Sequence, residues 1–310
     1  MMIYTNPVYP HNFADPFVLR HEEMYYAYGT AQTEDARVLP VLSSPDLSRW
    51  DWHGGALVPP TGAVEFWAPE VAFAEGVFYM YYSARGIDGR DHQLRVARSA
   101  SPLGPFEDVG QVLNENEPFS IDAHPFRAAD GQWYLFFAKD FLERDEQHHV
   151  GTGIVVDRLM DMLTLAGDPR LVVRPHADWH LFRLQRTMYG NIYDWYTVEG
   201  PSVLQHDGLY YCFYSGGAWE KENYGVSYVV AEHPLGPWQQ VQTQVLRSLP
   251  PDVIGPGHNS FAVAPDGRQM MVYHAWDAAR TGRYMRIDAL LWQDGVPQVT
   301  PTFGTTVVVA

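Results

Sequence analysis

The chain has 310 residues, with 21 Lys and Arg against 37 Asp and Glu, a formal charge of −16 at pH 7. A chain this acidic is repelled by phosphate backbones and anionic membrane surfaces, so nucleic acid and membrane are excluded as partners. No apolar run approaches the roughly 20 residues that a membrane helix needs, and a lone cysteine, Cys212, forbids an intrachain disulfide.

Residues Met1 to Pro7 carry no Lys or Arg and no long apolar segment, which is not the pattern of a secretory signal. A cytoplasmic protein, or one whose leader has been removed, is the expectation. Hydrophobic residues make up 46% and charged residues 19%, enough for a large core. Aromatics reach 14% alongside 26 Gly and 23 Pro, a composition that predicts many short strands joined by tight turns.

One phrase recurs along the chain: a small or polar residue, a short apolar run, a turn, then an aromatic strand. It reads Asp15 to Leu19 and Met24 to Gly29, then Pro69 to Phe73 and Val77 to Tyr82. The third copy is Pro125 to Arg127 and Trp133 to Phe137, with Asp130-Gly131 at the turn. The fourth is Pro201 to Leu204 and Tyr210 to Tyr214 around Asp207-Gly208, and the fifth Ser260 to Val263 and Met270 to His274 around Asp266-Gly267. Corners of the form Ser101-Pro102-Leu103-Gly104-Pro105 and His233-Pro234-Leu235-Gly236-Pro237 follow two of them. Helical periodicity is confined to Val156 to Leu165, which reads as a weak helix or a loop. The wide spacing between the third and fourth copies implies a loop insertion around Ala166 to Tyr196. Its aromatic and His residues Trp179, His180, Tyr189, Tyr193 and Trp195 are expected near the rim of a pocket.

Five units of about four strands describe an all-β, five-bladed β-propeller, one domain over residues 1–310. A β-sandwich with long loops is the rival, but a sandwich need not repeat. The first strand of each blade lines the axis, where apolar side chains are expected. Acidic residues nevertheless stand at its start: Asp15, Glu70, Asp122 and Glu199, with His258 in the fifth copy. Carboxylates gathered at one axis repel, so some pKa values rise, which suits either a metal site or acid–base chemistry. Two such groups suffice to hydrolyse a glycosidic bond.

These residues resemble glycoside hydrolase family 43, the propeller enzymes that cut arabinofuranosides and xylosides, over nearly the whole chain. Ala14-Asp15-Pro16-Phe17 is similar to the family's general-base motif, Trp67-Ala68-Pro69-Glu70-Val71 to its blade-two motif, and Ser120-Ile121-Asp122 to the segment of its pKa-modulating Asp. Val198-Glu199-Gly200-Pro201 resembles the general-acid segment, Gly257-His258-Asn259-Ser260 the one whose His faces an axial cation, and Gly282-Arg283 the one giving a substrate-binding Arg. The resemblance implies an inverting mechanism with Asp15 as base, Glu199 as acid and Asp122 sustaining the pKa of Glu199. It implies Trp67, Glu70, Ile121 and Arg283 as substrate contacts, with Arg286 competing for the last role. It also implies a mostly water-coordinated calcium ion at His258, and no organic cofactor.

The expected substrate is a pentose-containing oligosaccharide, from which the enzyme releases terminal L-arabinofuranose. β-Xylosidase and endo-1,5-arabinanase activities of the same family are alternatives, as is a non-catalytic sugar-binding propeller. An invertase-like fructosidase is disfavoured, because the first motif is Ala-Asp-Pro-Phe and no Arg-Asp-Pro occurs. The last strand, near Thr305 to Val309, is expected to pair with the N-terminal segment and close the ring. Cys212, inside an aromatic strand, reads as a small buried hydrophobe.

Overall fold

The computed structural model describes residues 2–309. Among them the chain forms strands almost throughout, with only two 3₁₀ turns, Ile87–Gly89 and Asp178–His180, and no helix able to cross a membrane. The strands assemble as a five-bladed β-propeller. Blade I is Ala14–His21, Met24–Thr30, Val38–Ser44 and Asp51–Val58, and blade II is Val64–Ala74, Val77–Arg85, Gln93–Ser99 and Phe106–Val112. Blade III is Ser120–Arg127, Trp133–Phe141, Gly151–Leu159 and Arg170–Val173. Blade IV runs through Asn191–His206, Leu209–Gly216, Gly225–Ala231 and Gln239–Gln240, and blade V through Ile254–Val263, Gln269–Trp276 and Arg283–Ala289. Within each blade, neighbouring strands are antiparallel.

The hydrophobic core divides into five clusters, one at each blade interface. Tyr28, Val41 and Leu57 of blade I pack on Phe78, Met80 and Phe106 of blade II. Leu94 and Val96 meet Leu135 and Phe137 across the next interface. Phe136 and Ile154 meet Val203 and Cys212, Phe213 and Tyr228 meet Met271 and Tyr273, and Val18 and Leu42 meet Val272 and Ile287. The strands are buried on both faces, so they read as continuous apolar runs such as Tyr-Tyr-Cys-Phe-Tyr rather than as alternations. Most of the aromatics are consumed in this packing. Cys212 is fully buried here, and burial pushes its thiol pKa up.

Hairpin turns follow the residues that permit them. At Asp207 and Gly208 both φ values are positive, 47° and 81°, and the turn joins His206 to its partner Leu209. Two positive φ values in a two-residue loop match the strand twist, and Gly takes the second without strain.

Blade V supplies only three strands, and the N-terminal segment completes it. Val8 N–H bonds Met285 O at 3.0 Å and Phe13 N–H bonds Arg283 O at 2.8 Å. Buried Asn6 clamps Ile287 from both sides, donating to its carbonyl at 2.8 Å and accepting its N–H at 2.9 Å. Beyond this, Met2–Thr5 pairs with Thr306–Val309, as the sequence suggests.

Two expectations change. Val156 to Leu165 is not a helix: Ile154, Val155 and Val156 lie in the third strand of blade III, where β-branched side chains pack best, and the chain turns after Leu159. The insertion after residue 166 is not a loose loop either. It adds the outer strand of blade III and then a hairpin, Leu181–Met188 against Asn191–His206, that runs directly into the inner strand of blade IV.

Candidate active site

Each innermost strand breaks register at the same place. The pairing skips between Ala14 and Phe17, Trp67 and Glu70, Ile121 and His124, Glu199 and Ser202, and Gly257 and Ser260. At each skip one residue is left-handed: Asp15 at φ 52°, Ala68 at 46°, Asp122 at 60°, Gly200 at 58° and His258 at 49°. A bulge places two consecutive residues opposite one, so neighbours that would point apart along a regular strand both reach the same space. The bulge residues Asp15, Asp122 and His258, and the residues just before the bulge, Trp67, Ile121 and Glu199, accordingly line one cavity of about 260 Å³. Thr30, Trp219 and Arg283 complete it.

The strained bulges are held by a repeated bond to the preceding blade. Asp15 N–H donates to His274 Nδ1 at 3.0 Å, Ala68 N–H to Thr30 Oγ1 at 2.9 Å, Asp122 N–H to Ser83 Oγ at 3.1 Å, and His258 N–H to Ser215 Oγ at 2.7 Å. Thr30, Ser83, Ser215 and His274 occupy equivalent positions, each paired with the residue before the bulge. In blade III that position is Ala138, which has no acceptor. Gly200 N–H turns instead to Asp122 Oδ2 at 2.9 Å. One missing hydroxyl thus ties Asp122 to the residue beside Glu199.

Electrostatics separate the carboxylates. Burial would push the Asp15 pKa up, but the Arg283 guanidinium, 3.0 Å from Oδ1, overrides it and holds the group below the usual carboxylate range. His258 and His274 also approach Asp15 Oδ1, at 3.5 and 3.3 Å. Burial drives both imidazoles toward neutrality, and His274 Nδ1 already accepts the Asp15 N–H, so the standing charge is that of Arg283. Glu199 is pushed up to about 7, chiefly by burial and then by the Asp15 charge, against a hydrogen bond from Tyr224 Oη to Oε1 at 2.9 Å. Asp122 is raised by burial and by the neighbouring Glu199 and Asp15. Tyr224 reaches Glu199 because Gly257 is a glycine: a Cβ there would lie 2.2 Å from the Tyr224 ring.

Two aromatic planes frame the cavity. Trp67 stacks on His92 with centroids 3.5 Å apart. Trp219 lies under the Arg283 guanidinium at 4.6 Å and stacks on Trp276 at 5.8 Å. Aromatic rings in a cavity wall suit the C–H face of a sugar, and Arg283 and the carboxylates suit its hydroxyls.

Of the residues singled out from sequence, the cavity gathers Asp15, Trp67, Ile121, Asp122, Glu199, His258 and Arg283. Glu70 is placed differently. It sits two residues beyond the bulge residue Ala68, out of the cavity lining, against His124. Arg286 is fully buried and donates to Thr302 O and Asp252 O, so Arg283 is the arginine of the cavity. None of Trp179, His180, Tyr189, Tyr193 and Trp195 lines it; Trp195 and His180 are completely buried in packing. Sequence reasoning missed Thr30 and Trp219. Thr30 carries a signal, a hydroxyl after the aromatic strand as in Tyr82-Ser83 and Tyr214-Ser215, whereas Trp219 sits in a non-repeating turn.

Among the described residues no group of three His, Cys, Asp or Glu side chains converges to cage a metal. Calcium takes about 6–8 oxygens, so the donor set at His258 fits only a cation held mainly through water.

The sequence model of glycosyl hydrolases family 43 matches residues 4–297. The chain belongs to this family. Relatives within reach include a β-D-galactofuranosidase of Aspergillus niger, 31% identical over 93% of this chain and 82% of the relative. An extracellular exo-α-(1→5)-L-arabinofuranosidase of Streptomyces chartreusis is 30% identical over 88% of this chain and 82% of its own length. Among solved structures, a thermostable family-43 glycoside hydrolase superposes with a TM-score of 0.85 at 38% identity, covering 97% of both chains. The protein is therefore a family 43 glycoside hydrolase, and the aromatic cavity on the propeller axis belongs to an enzyme that acts on carbohydrate.

Proposed function

We propose that the protein is an inverting exo-glycosidase that releases terminal L-arabinofuranose from arabino- or arabinoxylo-oligosaccharides. The observation that carries this reading is the separation of two cavity carboxylates. Asp15 of blade I is held ionised by Arg283, and Glu199 of blade IV is pushed up to about 7. Carboxyl groups whose environments drive their pKa values apart are suited to opposite roles, one a base and the other an acid.

In this mechanism Asp15 takes a proton from water as that water attacks the anomeric carbon. Glu199 gives its proton to the departing oxygen on the other face, and the configuration inverts in one displacement. Asp122, bonded to Gly200 N–H, fixes the backbone beside Glu199, and repulsion between the two carboxyl groups disfavours the state in which both are ionised. Trp67 and Trp219 offer stacking faces, and Arg283 both holds Asp15 ionised and donates to sugar hydroxyls. A calcium ion at His258, when bound, would add positive charge to the axis, and no step above passes through it.

The modest cavity favours one terminal sugar, and the named arabinofuranosidase relatives support an arabinose-releasing activity. A second reading is favoured by the galactofuranosidase relative: β-D-galactofuranose shares the ring configuration of α-L-arabinofuranose and adds one exocyclic carbon. Initial rates on 4-nitrophenyl α-L-arabinofuranoside, β-D-galactofuranoside and β-D-xyloside test the assignment. We expect the arabinofuranoside to be cut fastest, and a faster rate on either other glycoside overturns it. Chain-length dependence on arabino-oligosaccharides separates exo from endo action.

A further inference from the structure

One layer beneath the cavity lies a buried polar chain that the mechanism above does not use. Glu70 and His124 stand at equivalent positions on the inner strands of blades II and III, each resuming the pairing after its bulge. Both side chains are buried, at 7% and 8% exposure. Glu70 Oε2 lies 2.6 Å from His124 Nδ1, and His124 Nε2 accepts the Val203 N–H at 3.0 Å.

The second bond fixes the chemistry of the first. A nitrogen that accepts a backbone N–H carries no proton, so the imidazole proton is on Nδ1. It is donated to Glu70, whose carboxylate must then be the acceptor. The chain Glu70–His124–Val203 therefore crosses three blades as carboxylate, neutral imidazole and backbone amide.

Val203 lies on the strand that carries Glu199. Asp122, two residues before His124, binds Gly200 N–H on the same strand. Blade III thus grips this strand at two amides that flank Pro201 and Ser202. The upper grip depends on Asp122, and the lower on His124 in the one tautomer that Glu70 selects.

We propose that Glu70 and His124 form a positioning dyad, in which Glu70 fixes the His124 tautomer that anchors the Glu199 strand and sets a buried negative charge beneath the acid. This rests on the reading of Glu199 as general acid. The charged and titratable groups of the cluster around the acid are Asp15 from blade I, Glu70 from the layer below in blade II, Asp122 from blade III, Glu220 and Tyr224 from blade IV, and His258, His274 and Arg283 from blade V. The Glu70 charge raises Asp122, and as a buried like charge beneath the same cluster it disfavours ionisation of Glu199 as well. Loss of the charge therefore makes the acid easier to ionise, and activity falls away at lower pH.

Two substitutions separate the two roles. A Gln at position 70 can still accept the Nδ1 proton through its carbonyl oxygen but carries no charge. An Ala removes both. For E70A we expect kcat to fall about 10- to 100-fold with little change in KM, since a small misplacement of a catalytic group costs this much. The alkaline limb of the kcat profile should also move down by about half a pH unit to one unit, the scale of a nearby like charge. E70Q should recover most of the kcat lost in E70A and keep the shifted limb. Far-ultraviolet circular dichroism and the unfolding midpoint verify that both variants fold.

E199A on aryl arabinofuranosides of graded leaving-group acidity is run beside them. A loss confined to poor leaving groups upholds Glu199 as the acid. If E199A behaves so and both Glu70 variants keep the wild-type alkaline limb and kcat, the dyad is refuted alone. If E199A loses nothing on poor leaving groups, the reading beneath it fails and the dyad with it. A fall in E70Q as deep as in E70A, with an unmoved limb, reduces Glu70 to packing and also overturns the proposal.

Discussion

Replacing Arg283 by Met tests the electrostatic basis of the proposed base. Arg283 Nη1 lies 3.0 Å from Asp15 Oδ1, and both side chains are largely withdrawn from water, at 16% and 9% exposure. Coulomb's law at an effective dielectric near 20 gives about 5 kcal/mol for unit charges at that separation. Burial of the carboxylate opposes this attraction, and the guanidinium keeps some hydration. The expected net effect is therefore the smaller one measured for an Asp beside an Arg, about 1–3 pKa units, or about 1.4–4 kcal/mol. The sign follows from the depressed pKa. Asp15 must be ionised to accept a proton, so activity is lost as pH falls through its pKa, and removing Arg283 raises that pKa. In R283M the acidic limb of kcat/KM should move up by about 1–3 units, while the alkaline limb set by Glu199 moves less. The assay is the pH dependence of kcat/KM on an aryl arabinofuranoside. Its limbs remain informative even though Arg283 also lines the cavity and its loss weakens substrate binding. An acidic limb at the wild-type position would refute the claim that Arg283 keeps Asp15 ionised.

Further predictions follow from other contacts. D15N should lower kcat by about 10²–10⁴-fold, the usual contribution of a general base, with the fold intact by circular dichroism. Because Glu199 is pushed up to about 7, the wild-type alkaline limb should lie near neutrality, and activity should fall as pH rises through it. Y224F removes a hydrogen bond that favours the ionised Glu199, so that limb should move to higher pH. N6A breaks the clamp on both polar groups of Ile287 where the ring closes, and should cost about 2–3 kcal/mol in denaturant unfolding. Treatment with a chelator should lower the unfolding midpoint, and added calcium should restore it, if a water-held cation sits at His258.

The propeller was legible because its repeat is physical: each blade needs an apolar axial strand, a tight turn and an aromatic second strand. Asp15, Asp122 and Glu199 were legible because acidic residues interrupt strands that otherwise carry apolar side chains. The alignment of the repeats was less so. Spacing alone put Glu70 level with Asp15, whereas the bulge resolves them into successive layers, with Ala68 as the counterpart of Asp15. A bulge shifts register by one residue without leaving a compositional mark, so sequence cannot separate the layer that faces the cavity from the one below it. Trp219 and the hairpin after Leu181 lie outside the repeat, and their positions depend on packing with residues distant in the chain. The segment Val156 to Leu165 misled because a short apolar run suits helix and strand alike.

The most direct test of the proposed chemistry is the configuration of the sugar as it is first released. Proton NMR of a fresh digest of 4-nitrophenyl α-L-arabinofuranoside, followed from the first minutes, resolves the two anomers before they equilibrate. With Asp15 activating water opposite Glu199, the β anomer should appear first and the α anomer only later, by mutarotation. Initial accumulation of the α anomer would mean that a carboxylate attacks the sugar directly, and would contradict the assignment of Asp15 as general base.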